Sequence, residues 1–193
     1  IEKYYHRPSF VLYQPVDVDR FSLSDEKKDY YVVVSRLVPY KRIDLAIRAA
    51  EKMGRHIKIA GTGPEISSLK KIAGPHTEFL GFVSDEDLPR LYRNARALLF
   101  PQEEDFGITP LEAAASGIPT IAYKAGGALE TIIDRKTGIL FAHQTPESLM
   151  EAMRQSEEIT WDPLAIASHA RRFSRERFSQ ELRAFVQKQY VRA

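Results

Sequence analysis

Side chains able to handle anions and polar ligands are concentrated in a few short stretches of this sequence. Cations stand in Ser35-Arg36-Leu37-Val38-Pro39-Tyr40-Lys41-Arg42. Acids stand in Pro101-Gln102-Glu103-Glu104-Asp105-Phe106-Gly107-Ile108-Thr109-Pro110-Leu111-Glu112. Arg36 offers a planar fork that matches phosphate oxygens, and Lys41 a point charge in a loop stiffened by Pro39. A lysine near a helix start opposes the helix dipole, so local stability gains nothing from Lys41, and anion binding is the stronger reading than a solvated basic loop. Three acids, then a glycine, then a helix make a polar site with exposed backbone amides. Glu112 has a second reading, because Thr109-Pro110-Leu111-Glu112 spells a capping box in which Glu112 serves only the Thr109 amide. Glu103 and Asp105 also read as plain surface acids.

Two glycine stretches and one acidic stretch complete the set. Gly61-Thr62-Gly63-Pro64 allows close backbone approach and starts a helix at Pro64, but Ile66 replaces the third glycine of a dinucleotide fingerprint. Lys124-Ala125-Gly126-Gly127 precedes another helix, where free amides suit phosphate oxygens and a tight turn explains the glycines equally well. Ser84-Asp85-Glu86-Asp87 contains an Asp-x-Asp pair that could hold a metal. Acids after a serine complement a helix N-terminus, so no metal site is expected.

The elements that must position these residues alternate. Tyr30-Tyr31-Val32-Val33-Val34-Ser35 is a continuous β-branched run, expected of a parallel strand buried on both faces. Strands are likewise predicted at 56–60, 77–80, 97–101, 119–123 and 138–141. Helical spacing joins Ile43, Ala46, Ile47, Ala50 and Met53, then Leu88, Leu91, Tyr92 and Ala95. Further helices are predicted from Pro146 to about Glu158, from Asp162 to near Phe173, and from Ser174 to Tyr190. Residues 1–29 carry Pro8, Pro15 and a charged end, and read as a linker or hinge feeding a domain at 30–193, not as a core element. This rhythm specifies an α/β fold, a doubly wound parallel sheet of Rossmann-like type, whose ligands sit at the carboxyl ends of the strands.

Composition removes other classes. The 193 residues suit one domain, with 28 basic against 26 acidic residues, a net charge of +2, and 44% apolar content. The absence of cysteine excludes disulfide scaffolds, thiolate metal sites and cysteine nucleophiles. Seven basic and two acidic residues lie between Arg171 and Ala193, which leaves residues 1–170 net negative. Such a tail permits contact with an anionic membrane surface. The spacing of Phe173, Phe178, Phe185 and Tyr190 fits a packed amphipathic helix better than a nucleic-acid stacking platform, so no nucleic-acid partner is expected. No run approaches the length of a membrane span, and the non-methionine start at Ile1 reads as a domain cut from a longer chain.

Taken together, S-R-L-x-x-x-K, G-T-G-P-E, F-L-G-F-V-S, E-D-F-G-I-T-P-L-E-A-A-A-S-G-I-P-T-I-A-Y and G-G-A-L-E-T resemble the carboxy-terminal domain of retaining glycosyltransferases of the two-domain GT-B architecture, group 1 or family 4. The resemblance spans about Val11 to Met153, and the Glu104 to Glu112 spacing matches the family's E-x₇-E signature. It implies that Arg36 and Lys41 grip the diphosphate of a sugar nucleotide and that Glu104 holds donor-sugar hydroxyls without acting as a nucleophile. Phe106, Gly107, Ile108 and Thr109 would offer backbone amides, Glu112 would accept from ribose hydroxyls, and Val83 would meet the base through its backbone. Gly61 would leave room for the nucleotide, and the Gly127 amide would help hold the leaving group. Glu104-Asp105-Phe106-Gly107 replaces the commoner E-G-F-G and is similar to mannosyltransferase members. Asp85 could accept from guanine N1–H and N2–H, which favours GDP-mannose over UDP-sugars. The implied reaction needs no cofactor or metal, since protein cations do the metal's work. The implied partners are a saccharide or lipid-linked acceptor and an amino-terminal domain outside this chain, in the cytoplasm or at a membrane periphery. A sugar-nucleotide epimerase of the same architecture and a non-catalytic nucleotide-sugar-binding module are the alternatives.

Overall fold

Alternation along the first strand explains the layering. In the computed structural model, which describes residues 2–24, 26 and 29–190, β1 (Tyr30–Val34) sends Tyr31 and Val33 to one face and Tyr30 and Val32 to the other. Both faces are covered, so the strand is apolar throughout. β2 (His56–Ala60), β3 (Thr77–Gly81), β4 (Ala97–Phe100), β5 (Thr120–Tyr123) and β6 (Gly138–Phe141) join it in the order β3-β2-β1-β4-β5-β6. Every pairing is parallel. The order reverses between β1 and β4, and this switch point opens a crevice at their carboxyl ends.

One face packs on α2 (Ile43–Met53), α3 (Ile66–Ile72) and α7 (Pro146–Glu158), through Ile47, Ile57, Ile59, Leu99 and Leu149. The other packs on α4 (Leu88–Arg93), α5 (Ile108–Ala115) and α8 (Pro163–Arg171), through Tyr92, Leu98, Leu111 and Ile166. Each such fully buried aliphatic side chain contributes about 1.5–3 kcal/mol relative to exposure. α1 (Glu2–Tyr5), α6 (Ala128–Thr131) and α9 (Arg175–Tyr190) complete the helices. Caps set two boundaries, at the predicted Pro146 and one residue after the predicted Asp162. Thr145 accepts from the Ser148 amide ahead of Pro146, and Asp162 accepts from the Leu164 and Ala165 amides ahead of Pro163. Pro64 does not start α3, which begins two residues later.

The reading of residues 1–29 as lying outside the core is corrected at its end. Val16, Val18 and Phe21 are buried with Tyr92 and Leu111, and Val16 bridges to Ser174. The stretch is too short and too polar to signal a core element from sequence. The tail is also only partly packed: Phe173 is buried and Phe185 meets Phe10 edge-on at 5.2 Å, whereas Leu182 and Val186 are exposed. Ile1, Asp25, Lys27, Lys28, the Tyr190 side chain and residues 191–193 lie outside the described part. Among the described residues no helix is long and apolar enough to cross a membrane.

Candidate functional site

The loop after β1 carries its two cations to the switch point because its backbone is tied to β2 and the loop that follows it. The Ser35 amide donates to the Ala60 carbonyl and the Leu37 amide to the Thr62 carbonyl, while the Leu37 side chain is fully buried. A single 3-10 turn at Pro39–Lys41 follows, and Arg42 adopts the left-handed conformation before α2. Arg36 is exposed. Lys41 is not: its ammonium donates to Glu104 Oε1, with 15% and 23% of the two side chains exposed.

Glu104 is held from behind. The Gly127 amide donates to the Glu104 carbonyl at 2.7 Å. A Cβ at Gly127 would strike the Phe106 carbonyl, so only glycine admits this close approach. This corrects the expectation that the Gly127 amide is free for a phosphate oxygen: it supports the Glu104 loop. Phe106 stacks on Tyr13 at 5.8 Å and meets Phe173 edge-on at 6.0 Å. Gly107, at φ 85°, caps α5 without a side-chain acceptor, which leaves the Ile108 and Thr109 amides in the helix's first turn. The capping-box reading is therefore overturned. α5 begins at Ile108, so Pro110 is not the first helical residue, and Glu112 pairs elsewhere.

Arg36, Lys41, Gln102, Glu104, Gly107 and Thr109 share a cleft of about 360 Å³, with Phe106 and Ile108 also in its wall. Arg36 and Thr109 also border a second cleft of about 490 Å³, formed with Gly61, Val83 and Leu88. A Cβ on Gly61 would collide with the Ser35 carbonyl, so this glycine is required by strand-end packing whatever the cleft contains. Asp85 and Glu112 line neither cleft. The Asp85 side chain is 88% exposed, and Arg20 reaches this residue with a 2.6 Å hydrogen bond to its carbonyl and a 3.6 Å approach to its carboxylate. Glu112 Oε2 accepts from the buried Tyr92 hydroxyl at 3.0 Å. Burial pushes the Glu112 carboxyl above the usual carboxylate range, outweighing the Tyr92 hydrogen bond and the Arg20 charge, and Asp85 adds to the rise. Asp87 accepts from Ser84 and approaches Arg90, while Asp85 faces Arg20, so the Asp-x-Asp pair is turned to separate partners.

The arrangement divides its chemistry by wall. Donors come from the β1 loop and the start of α5, and suit a phosphate chain. The Glu104 carboxylate, in direct contact with Lys41, can only accept when ionised, and suits hydroxyl donors. Sequence reasoning missed three participants. Arg20 and Tyr92 act across 65 and 20 residues, and no local pattern reveals them. Gln102 carries no charge to mark it among its acidic neighbours.

The family model for glycosyl transferases group 1 matches residues 17–175. A Mycobacterium tuberculosis protein, GDP-mannose-dependent alpha-(1-6)-phosphatidylinositol monomannoside mannosyltransferase, is 31% identical over 170 residues, covering 72% of this chain and 44% of its own. Glycogen synthase of Pseudomonas paraeruginosa is 32% identical over 145 residues, covering 70% of this chain and 28% of its own. The chain thus spans less than half the length of these curated relatives. The crystal structure of Anabaena Alr3699/HepE in complex with UDP superposes with a TM-score of 0.81 at 23% identity, over 93% of this chain and 57% of that one. That likeness shows a shared fold.

Proposed function

The chain belongs to the group 1 glycosyl transferase family, and from that premise we propose that it is the donor-binding half of a retaining, metal-independent glycosyltransferase that moves mannose from GDP-mannose. The observation that carries this reading is the juxtaposition of Lys41 and Glu104 in the cleft that Arg36 and the start of α5 also line. A binder of nucleotide alone has no need of a carboxylate beside its phosphate cations. A sugar nucleotide needs both.

The chemistry follows from charge. As the glycosidic C–O bond breaks, positive charge grows on the sugar ring and negative charge on the departing diphosphate. Arg36, Lys41 and the Ile108 and Thr109 amides meet the negative charge with groups already oriented, which costs no reorganisation at the moment of reaction. Glu104 orients the ring through its hydroxyls. The nucleoside extends into the second cleft, with its base near Val83 and Asp85 and its ribose toward Glu112. The mannosyltransferase relative supports GDP-mannose, as does the exposed Asp85 carboxylate. The acceptor, a saccharide or a lipid-linked one, belongs to an amino-terminal domain, to which residues 1–29 would lead as a hinge.

A nucleotide-sugar panel read by ligand-observed NMR without added metal tests this proposal. GDP-mannose is expected to bind in preference to UDP-glucose, with saturation transfer on sugar and base protons. Failure of every nucleoside diphosphate and sugar nucleotide to bind at millimolar concentration would overturn it.

A further inference from the structure

Arg20 ends the single 3-10 turn Val18–Arg20 in the segment before β1. Buried Val18 and Phe21 fix its backbone in the core, and its guanidinium lies over the Phe21 ring at 5.7 Å. From there it crosses to the loop after β3. Its Nη2 donates to the Asp85 carbonyl at 2.6 Å and stands 3.6 Å from the Asp85 carboxylate. The first contact is a charge-assisted hydrogen bond that fixes the backbone two residues beyond Val83, which lines the second cleft. The second is too long for a hydrogen bond, so it orients the carboxylate without taking its lone pairs, and 88% of that side chain stays exposed. The same charge acts on Glu112, where it opposes the upward push of burial and of Asp85. One cation from outside the sheet thus acts on both acids.

An exposed carboxylate on a loop ordinarily has many orientations, and binding must fix one of them at an entropic cost. Arg20 reduces that cost in advance. A carboxylate so held matches a base that presents two N–H donors side by side. Guanine does so through N1–H and N2–H, whereas uracil offers a single N–H flanked by two carbonyl oxygens that a carboxylate repels. We propose that Arg20 is a positioning residue that sets the base preference of the donor site, by holding the Asp85 carboxylate where the paired donors of guanine reach it. This rests on the sugar-nucleotide reading of the site, and extends it to a residue that acts through Asp85 and not on the ligand itself.

The test is a calorimetric titration of the full chain and its Arg20→Met, Asp85→Asn and doubly substituted variants with GDP, UDP and inorganic pyrophosphate. Physiological salt is used, so that the long-range part of the lost charge is screened. The parent is expected to prefer GDP to UDP. Arg20→Met should bind GDP about 5-fold more weakly, with UDP and pyrophosphate changed by less than about 2-fold. Asp85→Asn should lose the same preference, and the double variant should lose no more than Asp85→Asn alone, a coupling that general loosening of the fold would not produce. Arg20→Lys, which keeps a charged donor, should restore part of the preference. Where the melting temperature of Arg20→Met falls well below that of the parent, Arg20→Gln takes its place. Equal weakening of all three ligands overturns the proposal, as does an unchanged preference in Arg20→Met or simple additivity of the two substitutions. A parent that binds UDP as tightly as GDP overturns the Asp85 assignment and the proposal with it. Failure of the parent to bind any nucleotide overturns the reading beneath it as well, and so is distinguishable from failure of the Arg20 assignment alone.

Discussion

Lys41 and Glu104 are ion-paired, yet their removal should move diphosphate affinity in opposite directions. On the proposed reading Lys41→Met deletes a cation from the wall that holds the diphosphate. Loss of one preorganised donor in comparable sites costs about 3–4 kcal/mol of barrier, or roughly 10²–10³-fold in turnover. Glu104→Gln removes a negative charge that both neutralises Lys41 and repels an incoming diphosphate. A fully buried pair loses about 3–5 kcal/mol when broken and an exposed one about 0–1. With 15% and 23% of the side chains exposed, the pair lies between those limits, and about 1 kcal/mol of opposing charge is relieved. Glu104→Gln should therefore bind bare GDP about 5-fold more tightly while turnover of the full-length enzyme falls at least roughly 10²-fold. Calorimetric titration with GDP at low and high salt reads the first effect, and the gain should shrink as salt screens it. Weaker GDP binding by Glu104→Gln, comparable to that of Lys41→Met, would refute the reasoning.

Three further outcomes follow from other residues. On the proposed reading Glu112 accepts from ribose hydroxyls, best when ionised, and its carboxyl is raised by burial, so GDP affinity should fall on acidification before the ordinary carboxylate range is reached. Glu112→Gln should flatten that fall and, by removing a buried charge, raise the melting temperature at neutral pH. Glu157 is partly buried, which pushes its carboxyl up, but hydrogen bonds from Arg55 and Tyr31 prevail and hold it low. Its contribution is thus present above the ordinary carboxylate range and lost as pH falls through the lowered value. Glu157→Gln should cost about 1 kcal/mol in urea melts at pH 7, with the gap closing in acid. Gly61→Ala should lower stability by about 2–3 kcal/mol in thermal melts, because its Cβ meets the Ser35 carbonyl and its φ is 135°.

What the sequence revealed was whatever depends on neighbours in the chain. Tyr30–Val34 reads as a two-sided strand from its β-branched run, and the starts of α7 and α8 fall at or within one residue of the predicted Pro146 and Asp162. Parallel order then puts the loops after β1 and β4 side by side, so the meeting of Lys41 with Glu104 follows from topology. The errors share the opposite cause. Thr109-Pro110-Leu111-Glu112 has the local form of a capping box, but Gly107 lets α5 begin earlier and Tyr92, far off in sequence, claims Glu112. Gly126-Gly127 reads as an open amide nest until the Glu104 carbonyl is brought against it. Val16, Val18 and Phe21 become core only because α4 and α5 pack against them.

The support behind Glu104 gives the glycines after β5 a route to the chemistry through the loop they hold. Glu104 sits on an irregular loop, where a carboxylate has many orientations available, and an oxygen displaced by about 1 Å loses its geometric advantage. Three constraints narrow that freedom: the Gly127 amide on the Glu104 carbonyl, the Tyr13 ring on Phe106, and Lys41 on the carboxylate itself. The first comes from the β5 loop, the second from the segment preceding β1, and the third from the β1 loop. Orientation of one side chain is thereby made to depend on three separate stretches of backbone. A substitution of Gly127 or Tyr13 should depress turnover more than it depresses diphosphate binding, since Arg36, on the β1 loop, does not share these supports.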